Sequence, residues 1–548
     1  MRALLCLALL GCTGQIAEPD VPPVVEAPPR MSLCGEGAAS NAPLLRMDRE
    51  TYVGALETLF GSEVRERVSE TLAALPEAVG GRYRSATGAA SAAEVRAYLD
   101  VATDVAYEVT GDAALLTSLD PCLAEPAPES TCIAGFVDSF GRRLLRRPIT
   151  EEERARFLEG YAIGAADDPQ SGVATLLMRM LMDPRFLYFF EDEGPELRAG
   201  VAALTSHELA ARLARTLWSS TPDDELLAAA DRGLEGAVLD AELERMWADP
   251  RAEGAFQRFV GEWLHLPAST ATDASLQFAA SVAMDEGGFA DLLLDRRAFI
   301  PDAETAEVYG LDPETRGEVM LPAEERAGLL TRVAWLQSVA IPGTNAGHII
   351  KRGERLGQVL CNPLPPPDPD AFPDDDPAEP SDRPMSIRER FQEATAEATC
   401  ASCHVRLDAM GAPFGHYGAD GSWIDEEVIE HDDTELRVAI DTESSLLLDD
   451  ENVVVADALA LSEVIGQSPE AAECFADQLA ESFAGRPLDR NDGCLVAGAR
   501  QVLADPTAVE DGTAVEDSTA PERSIRAAVF ALLRAPAFSE RQLPEEEE

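Results

Sequence analysis

Residues 205–231, with the sequence TSHELAARLARTLWSSTPDDELLAAAD, predict the fold class because they combine helix start signals with a helical spacing of apolar residues. Thr205 and Glu208 have the spacing of a capping box, in which each side chain bonds the backbone of the other residue. A second start follows at Thr221-Pro222-Asp223, where a proline and acidic residues occupy the first turn. The leucines after the first start lie one turn apart, on one face: Leu209, Leu213 and Leu217. The stretch therefore predicts two consecutive amphipathic helices.

The same helical pattern recurs along most of the chain. Thr150 and Glu153 form another candidate capping box. No convincing alternating strand ladder is evident, and the acidic, proline-rich residues 363–384 predict an extended segment between two units. We therefore expect a mainly α, multi-domain helical scaffold. Further helices are predicted over 50–59, 92–107, 172–182, 252–264, 323–339, 349–360, 387–398, 454–465, 469–483 and 525–533.

Length and charge restrict the possible partners. A chain of 548 residues is too long for one hydrophobic core, so several packed units are expected. The formal net charge of -56 is spread along the sequence and repels phosphate backbones, so nucleic acid is not an expected partner. Such a surface suits solubility in salt or attraction to a basic partner; a solvated surface shaped by habitat is the plainer interpretation.

The N-terminus has the pattern of an export signal. Met1-Arg2 is followed by an apolar run over 3–10, and Gly11 precedes Cys12, which resembles the lipidation box of bacterial lipoproteins. The run is too short to span a membrane. We predict a signal peptide over 1–11, lipidation of Cys12, a tether over 12–41, and a periplasmic or outer-membrane lipoprotein held by its lipid alone. A plain cleaved signal peptide or a buried strand is the alternative.

The cysteines indicate an oxidising compartment. Ten are present, and six remain once Cys6, Cys12 and the pair Cys400 and Cys403 are set aside. An even number fits disulfides in an exported protein. Their connectivity is open, except that the short separation of Cys122 and Cys132 favours a local bond.

The sequence Cys400-Ala401-Ser402-Cys403-His404 is the one motif that carries recognisable chemistry. Two thiols one helical turn apart suit thioether bonds to the haem vinyl groups, and the adjoining imidazole suits the iron. We therefore expect a covalently bound c-type haem, with His404 as the iron ligand. Three alternatives stay open: a disulfide, a redox-active dithiol, and a zinc site completed by Cys474 or Cys494 with His416.

The ligand on the far side of the haem is less determined. His416 is the favoured candidate, while His431, Met385 and Met410 are alternatives, Met410 being strained by its closeness to His404 in the chain. A sixth ligand favours electron transfer, whereas a vacant position permits peroxide or oxygen chemistry. The remaining histidines are interpreted as structural: His207, His265 and His348.

The order of these segments resembles a family of planctomycete and myxobacterial exported proteins, built from the domains of unknown function DUF1587, DUF1595, DUF1592, DUF1588 and DUF1585. The motifs that carry the resemblance are LRMDRETY at 45–52, RRLLRRPIT at 142–150, ELAARL at 208–213, LWSSTPD at 217–223, RAGLLT at 326–331, KRG at 351–353, LPPP at 364–367, the CxxCH motif, Cys474-Phe475 and Gly485-Arg486.

The resemblance implies five regions and a cytochrome c-like module near the C-terminus. The regions are a DUF1587-like helical part over 42–140, a DUF1595-like part over 141–200, a DUF1592-like part over 201–322, a DUF1588-like part with the proline-rich linker and CxxCH over 323–430, and a DUF1585-like helical part over 431–548. After the haem motif the family continues with Asp-Pro-hydrophobic-Gly and Glu-Asn-Phe-Asp runs. Asp408-Ala409-Met410-Gly411 and Gly415-His416-Tyr417-Gly418 depart from both.

The function expected from these features is electron transfer or another redox role in an exported lipoprotein, with an exported redox partner or an unknown substrate. A peroxidase- or oxygenase-like haem enzyme is one alternative. A non-haem surface scaffold or binding lipoprotein with a Cys400–Cys403 disulfide is the other. No catalytic residue is assigned, since the sequence has no Walker loop, GxSxG elbow or HExxH motif.

Overall fold

The computed structural model describes residues 43–75, 87–339, 349–365, 384–396, 398–431, 434–489, 491–504 and 523–543. The predicted signal peptide, Cys12, the tether, His348 and most of the proline-rich stretch lie outside these residues. Helices predominate over short strands in the described part, which confirms a mainly α fold. No helix within that part is both long and apolar enough to cross a membrane.

The first body of the protein is a helical bundle with its own core. Its centre is aromatic: the Tyr52 ring lies 5.3 Å from Tyr98 and 5.6 Å from Phe186 between ring centroids. The first strand pairs with the last across the bundle, Leu45 opposite Phe189. Its elements are β1 (Leu45–Arg46), α1 (Arg49–Phe60), α2 (Ser62–Arg67), α3 (Ser69–Ala73), α4 (Ala92–Gly111), α5 (Ala113–Leu119), α6 (Ser130–Leu145), α7 (Glu151–Gly164), α8 (Pro169–Leu181), α9 (Pro184–Leu187) and β2 (Tyr188–Phe189).

The second body begins at Glu196 and uses most of the remaining chain. Its first half contains β3 (Glu196–Arg198), β4 (Val201–Ala203), α10 (Ser206–Trp218), α11 (Asp224–Arg232), α12 (Gly236–Trp247), α13 (Pro250–Trp263), α14 (Thr270–Met284), α15 (Phe289–Leu294), β5 (Arg297–Ile300), α16 (Ala303–Val308), β6 (Gly317–Met320) and α17 (Val333–Ser338). Its second half contains α18 (Ile349–Val359), α19 (Ile387–Ala394), α20 (Ala398–Gly411), β7 (Glu426–His431), β8 (Thr434–Ala439), β9 (Ser444–Leu448), β10 (Glu451–Val455), α21 (Ala458–Gln467), α22 (Pro469–Ala484), α23 (Gly493–Ala504), α24 (Ile525–Arg534) and β11 (Glu540–Gln542).

One hydrophobic core joins the two halves of this second body. It extends from Leu204 to Phe538. At its centre the Trp263 ring of α13 lies 5.0 Å from the Phe475 ring of α22, in an edge-to-face arrangement. Both capping boxes predicted from the sequence are present, at the starts of α7 and α10. The late helices therefore complete a core that α10 begins.

The second body is closed by its last strand. β11 pairs antiparallel with β4, with Glu540 opposite Ala203 and Gln542 opposite Val201. Arg198 reinforces the pairing through an ion pair with Glu540, at 2.8 Å. The beginning and the end of this body are therefore neighbours in one small sheet.

The prediction of a helix over 323–339 is wrong for the first half of that range. Only a 3-10 turn over Leu329–Thr331 and α17 are helical there. Gly328 adopts φ 56°, and a Cβ at this position would collide with the backbone of Leu293. Because the chain crosses so close to α15, a regular helix cannot pass through this point.

The predicted helix over 387–398 is divided in two, and the stretch after it contains strands that were not predicted. α19 ends at Ala394, and a separate helix, α20, carries the CxxCH motif. Two antiparallel hairpins are present, β7–β8 and β9–β10, and apart from residues 426–430 of β7 both lie in the part over 431–548 that was expected to be helical. Asp449 and Asp450 connect β9 to β10 with φ values of 51° and 61°, which is the conformation of a two-residue hairpin turn. The following helix begins at Ala458 rather than at 454.

Candidate functional site

The candidate site lies on α20. Cys400 and Cys403 are both partly exposed and both free. Their separation of three residues places them one turn apart on the same side of this helix. His404 follows directly, partly buried. The structure therefore presents two thiols and an imidazole together on one helix, as the motif predicts, and contains no bond between the two sulfurs.

Close packing against α18 fixes the position of α20. A Cβ at Gly353 would collide with the carbonyl oxygen of Leu407, and a Cβ at Gly411 would collide with that of Ile349. Only glycine allows two helix backbones to approach this closely. The Met410 side chain fills the adjoining space, its terminal carbon lying 3.4 Å from where a Cβ on Gly357 would be.

Two buried arginines hold the irregular segment that follows α20. Arg352 of α18 donates to the carbonyl oxygens of Phe414, at 2.7 Å, and Gly418, at 3.0 Å. Arg326 donates to the carbonyl oxygen of Gly421, at 2.6 Å. Burial lowers the pKa of Arg352 to about 10 and lowers that of Arg326 as well. The segment over 411–422 is thus positioned by buried cations that bond backbone oxygens.

The surroundings of His404 contain polar atoms without partners. Its Nδ1 is buried and has no hydrogen-bond partner among the described residues, and the same holds for Oδ1 of Asp408 and Nε of Arg388. Burial raises the pKa of the Asp408 carboxyl, which the charges of His404 and Arg388 oppose. Asp408 and Arg388 were not predicted as site residues from the sequence. Asp408 could have been found from its four-residue spacing to His404, which places both side chains on one face of a helix.

The candidate ligands for the far side of a haem are held by other contacts. Nδ1 of His416 lies 2.9 Å from the carbonyl oxygen of Ile424, and its ring stacks on Trp423 with 4.6 Å between centroids. Met385 and Met410 are buried, with 3% and 6% of their surface exposed. His431 lies in β7, but its side chain is outside what the structure describes.

The disulfides leave little support for a zinc site. Cys122 and Cys132 are bonded, which confirms the predicted local pair. Cys474 is bonded to Cys361, and Cys494 is also disulfide-bonded. Neither of the cysteines considered as completing a zinc site with Cys400 and Cys403 is therefore a free thiol. The described residues contain no group of three or more His, Cys, Asp or Glu side chains that could hold a metal ion.

The two described histidines interpreted as structural lie on other elements. His207 is in α10, where its Nε2 lies 3.2 Å from Oδ1 of Asp231, and burial lowers its pKa. His265 follows α13 with φ 52°, and its carbonyl oxygen accepts a hydrogen bond from Arg355. Neither residue lies on α20, the helix that carries the CxxCH motif.

Three family models match the chain. Each is described as a protein of unknown function: DUF1595, named PSD5, over 132–191; DUF1592, named PSD4, over 204–277; and DUF1588, named PSCyt3, over 326–427. They follow the order expected from the resemblance and support the multi-domain family. The DUF1588 match includes Arg326, Arg352 and the CxxCH motif. No curated protein and no solved structure matches the chain.

Proposed function

We propose that Cys400 and Cys403 attach a c-type haem, that His404 binds its iron, and that the chain is an exported electron-transfer lipoprotein. The observation that carries this proposal is the state of the cysteines. Every other cysteine that the structure describes is disulfide-bonded, whereas these two are free although they are one turn apart. Two thiols that stay unbonded in a protein that otherwise forms disulfides are suited to covalent attachment of a cofactor.

The residues present fit a haem in their chemistry. Two thiols can form the two thioether bonds, and the imidazole beside them has a buried nitrogen that lacks a partner among the described residues. When bound, the haem supplies one-electron chemistry at an iron whose potential depends on its ligands and burial. The name of the matching DUF1588 model, PSCyt3, is consistent with a cytochrome-like module.

The protein's own residues provide a rigid support for this site. α20 is held by the glycine contacts with α18, and the segment after it by Arg352 and Arg326. The disulfide from Cys361 to Cys474 connects the end of α18 to α22. Restricting motion around a redox centre reduces the rearrangement that accompanies each change of charge.

The proposal includes export and anchoring through Cys12. The disulfides fit an oxidising compartment such as the periplasm. The lipid is proposed as the only membrane anchor. The net charge of -56 favours an exported redox partner with a basic surface and disfavours nucleic acid. We also propose that the terminal regions are DUF1587-like and DUF1585-like, as in the planctomycete and myxobacterial family.

A haem enzyme, of the peroxidase or oxygenase type, is the second candidate function. It is favoured by the burial of Met385 and Met410 and by the contacts of His416, because these three candidate sixth ligands are packed within the protein itself. A vacant sixth position admits peroxide. A ferric five-coordinate spectrum that changes on adding peroxide would favour the enzyme, and a six-coordinate spectrum would favour electron transfer.

The test is haem attachment to the full chain. Expression with a cytochrome c maturation system should give a band that retains haem stain after denaturation, and a tryptic peptide around Cys400 with the mass of added haem. The double variant Cys400→Ser/Cys403→Ser should lose the stain. The matched control Cys122→Ser/Cys132→Ser also removes two cysteines and should keep it. An unstained wild-type band contradicts the proposal.

A further inference from the structure

One carboxyl oxygen and two nitrogens on three interacting side chains at the CxxCH motif are unsatisfied. They are Nδ1 of His404, Oδ1 of Asp408 and Nε of Arg388, each buried and without a hydrogen-bond partner among the described residues. Asp408 interacts electrostatically with both other side chains. Buried polar atoms nearly always have partners, because an unpaired one destabilises the fold by about 1–3 kcal/mol. Their occurrence together indicates an arrangement that another group completes.

The position of Asp408 on α20 suits an interaction with His404. Residues four apart lie on the same face of a helix. Helical side chains also lean toward the N-terminus, so the carboxyl of Asp408 extends over the turn that carries His404. The backbone oxygens near His404 belong to a continuous helix and are used in its own hydrogen bonds. The carboxylate is therefore the acceptor best placed for a proton on this imidazole.

The chemistry of the two groups is complementary. An imidazole that binds a metal through Nε2 carries its proton on Nδ1, which then acts as a donor. Ligating histidines commonly donate this proton to a carboxylate or a backbone carbonyl, which fixes the ring and raises its basicity. Nδ1 of His404 and Oδ1 of Asp408 both lack another partner among the described residues, so each is available to the other.

Arg388 is placed to support this carboxylate from α19. Its two terminal nitrogens donate to the carbonyl oxygens of Asp441 and Glu443, both at 2.9 Å. These bonds fix the guanidinium group and leave its Nε unpaired among the described residues. A fixed positive charge near Asp408 stabilises the ionised carboxylate.

We propose that Asp408 is a positioning residue for the iron ligand, accepting a hydrogen bond from Nδ1–H of His404, with Arg388 holding the carboxylate in place. This inference rests on the proposed function and deepens it. A carboxylate acceptor strengthens electron donation from the imidazole more than a neutral acceptor does, which favours the oxidised iron. Asp408 therefore lowers the reduction potential of the site.

The experiment compares three variants of the haem-loaded full chain. Asp408→Asn keeps the size of the side chain and removes its charge, so the reduction potential should rise and the ferric EPR g-values should shift. Asp408→Glu keeps the carboxyl group and should return both toward the wild type. Asp441→Asn is the matched control: its carboxylate pairs with the same Arg388 at 3.0 Å, yet it is 71% exposed, and both readouts should stay near wild type.

The outcomes separate this inference from the proposed function. If the wild type carries no haem, the proposed function fails. If it carries haem and Asp408→Asn changes the potential and the g-values no more than Asp441→Asn does, the inference is wrong. Should Asp408→Asn fail to fold, a crystal structure of the haem-loaded wild type decides: Nδ1 within hydrogen-bond distance of the Asp408 carboxylate supports the inference, and Nδ1 bonded to a backbone carbonyl overturns it.

Discussion

The carbonyl oxygen of Leu407 occupies the place where a side chain on Gly353 would begin. This contact joins the helix of the CxxCH motif to α18, and it depends on the absence of one carbon atom. The stability of the candidate site is therefore sensitive to a methyl group.

Gly353→Ala should destabilise the protein by about 1–3 kcal/mol, because the added carbon forces the two backbones apart. Urea denaturation followed by circular dichroism measures the change. Gly254→Ala is the control, since Gly254 lies inside α13 with nothing within 4 Å of the new carbon. That variant should be more stable by about 0.5–1 kcal/mol, because alanine favours helix. Equal effects of the two variants would contradict this account of α18 and α20.

Arg352→Met should cost about 2–5 kcal/mol, because it leaves the carbonyl oxygens of Phe414 and Gly418 without their donor. Arg352→Lys should restore little of this, since an ammonium group does not reproduce the planar pair of donors. The control is Arg232→Met, where an exposed arginine bonds a carbonyl in its own helix; it should change stability by less than about 0.5 kcal/mol. Chemical denaturation midpoints and slopes provide the comparison. A mild effect of Arg352→Met would show that other contacts hold the segment over 411–422.

The two described disulfides should differ in their contribution to stability. Cys361 and Cys474 are 113 residues apart, whereas Cys122 and Cys132 are 10 apart. Because a longer loop restricts the unfolded chain more, removing the first bond should cost about 4–5 kcal/mol and removing the second about 2–3 kcal/mol. Double alanine variants of each pair, compared by denaturation, measure the difference. The reverse order would show that strain or unfolded-state structure outweighs loop length.

Tyr98 should make the stability of the first body decrease at alkaline pH. Its hydroxyl donates to the carbonyl oxygen of Met47 at 2.6 Å, and burial raises its pKa to about 12. The unfolded chain loses this proton above an ordinary tyrosine pKa of about 10, while the folded chain keeps it. The contribution of protonated Tyr98 to the free energy of unfolding is therefore fully present below about pH 10 and is lost as the pH rises toward 12.

Tyr98→Phe should reduce this loss of stability between about pH 10 and pH 12, although it weakens the fold near neutral pH by about 1 kcal/mol through the lost hydrogen bond. Denaturation midpoints at several alkaline values measure the slope. Tyr107→Phe, on the same helix and 63% exposed, is the control and should keep the wild-type slope. If both variants behave alike, the burial of Tyr98 is not responsible.

Features set by neighbouring residues were predicted correctly from the sequence. The capping boxes at Thr150 and Thr205 depend on contacts three residues apart, and both are present. The bond between Cys122 and Cys132 is equally local. The CxxCH motif places its three side chains on one helix because its members lie within a single turn or so.

Features set by distant segments were missed. The helix expected over 323–339 is interrupted where Gly328 meets Leu293, a contact that no pattern within the segment indicates. The hairpin β9–β10 turns at Asp449 and Asp450 without a glycine, so its usual turn signal is absent. Around the candidate site, Arg388 on α19 interacts electrostatically with Asp408 on α20, and only the fold brings them together.

The pairing of β11 with β4 determines when, during synthesis, the second body can complete its sheet. The partner of Val201 is Gln542, so the second body lacks one edge of its sheet until Gln542 has been synthesised. Domains otherwise tend to fold as they emerge from the ribosome. A body whose sheet is completed by β11 therefore stays open until that strand has been made. The free thiols of α20 are synthesised before β11, so they are already present while this sheet is incomplete.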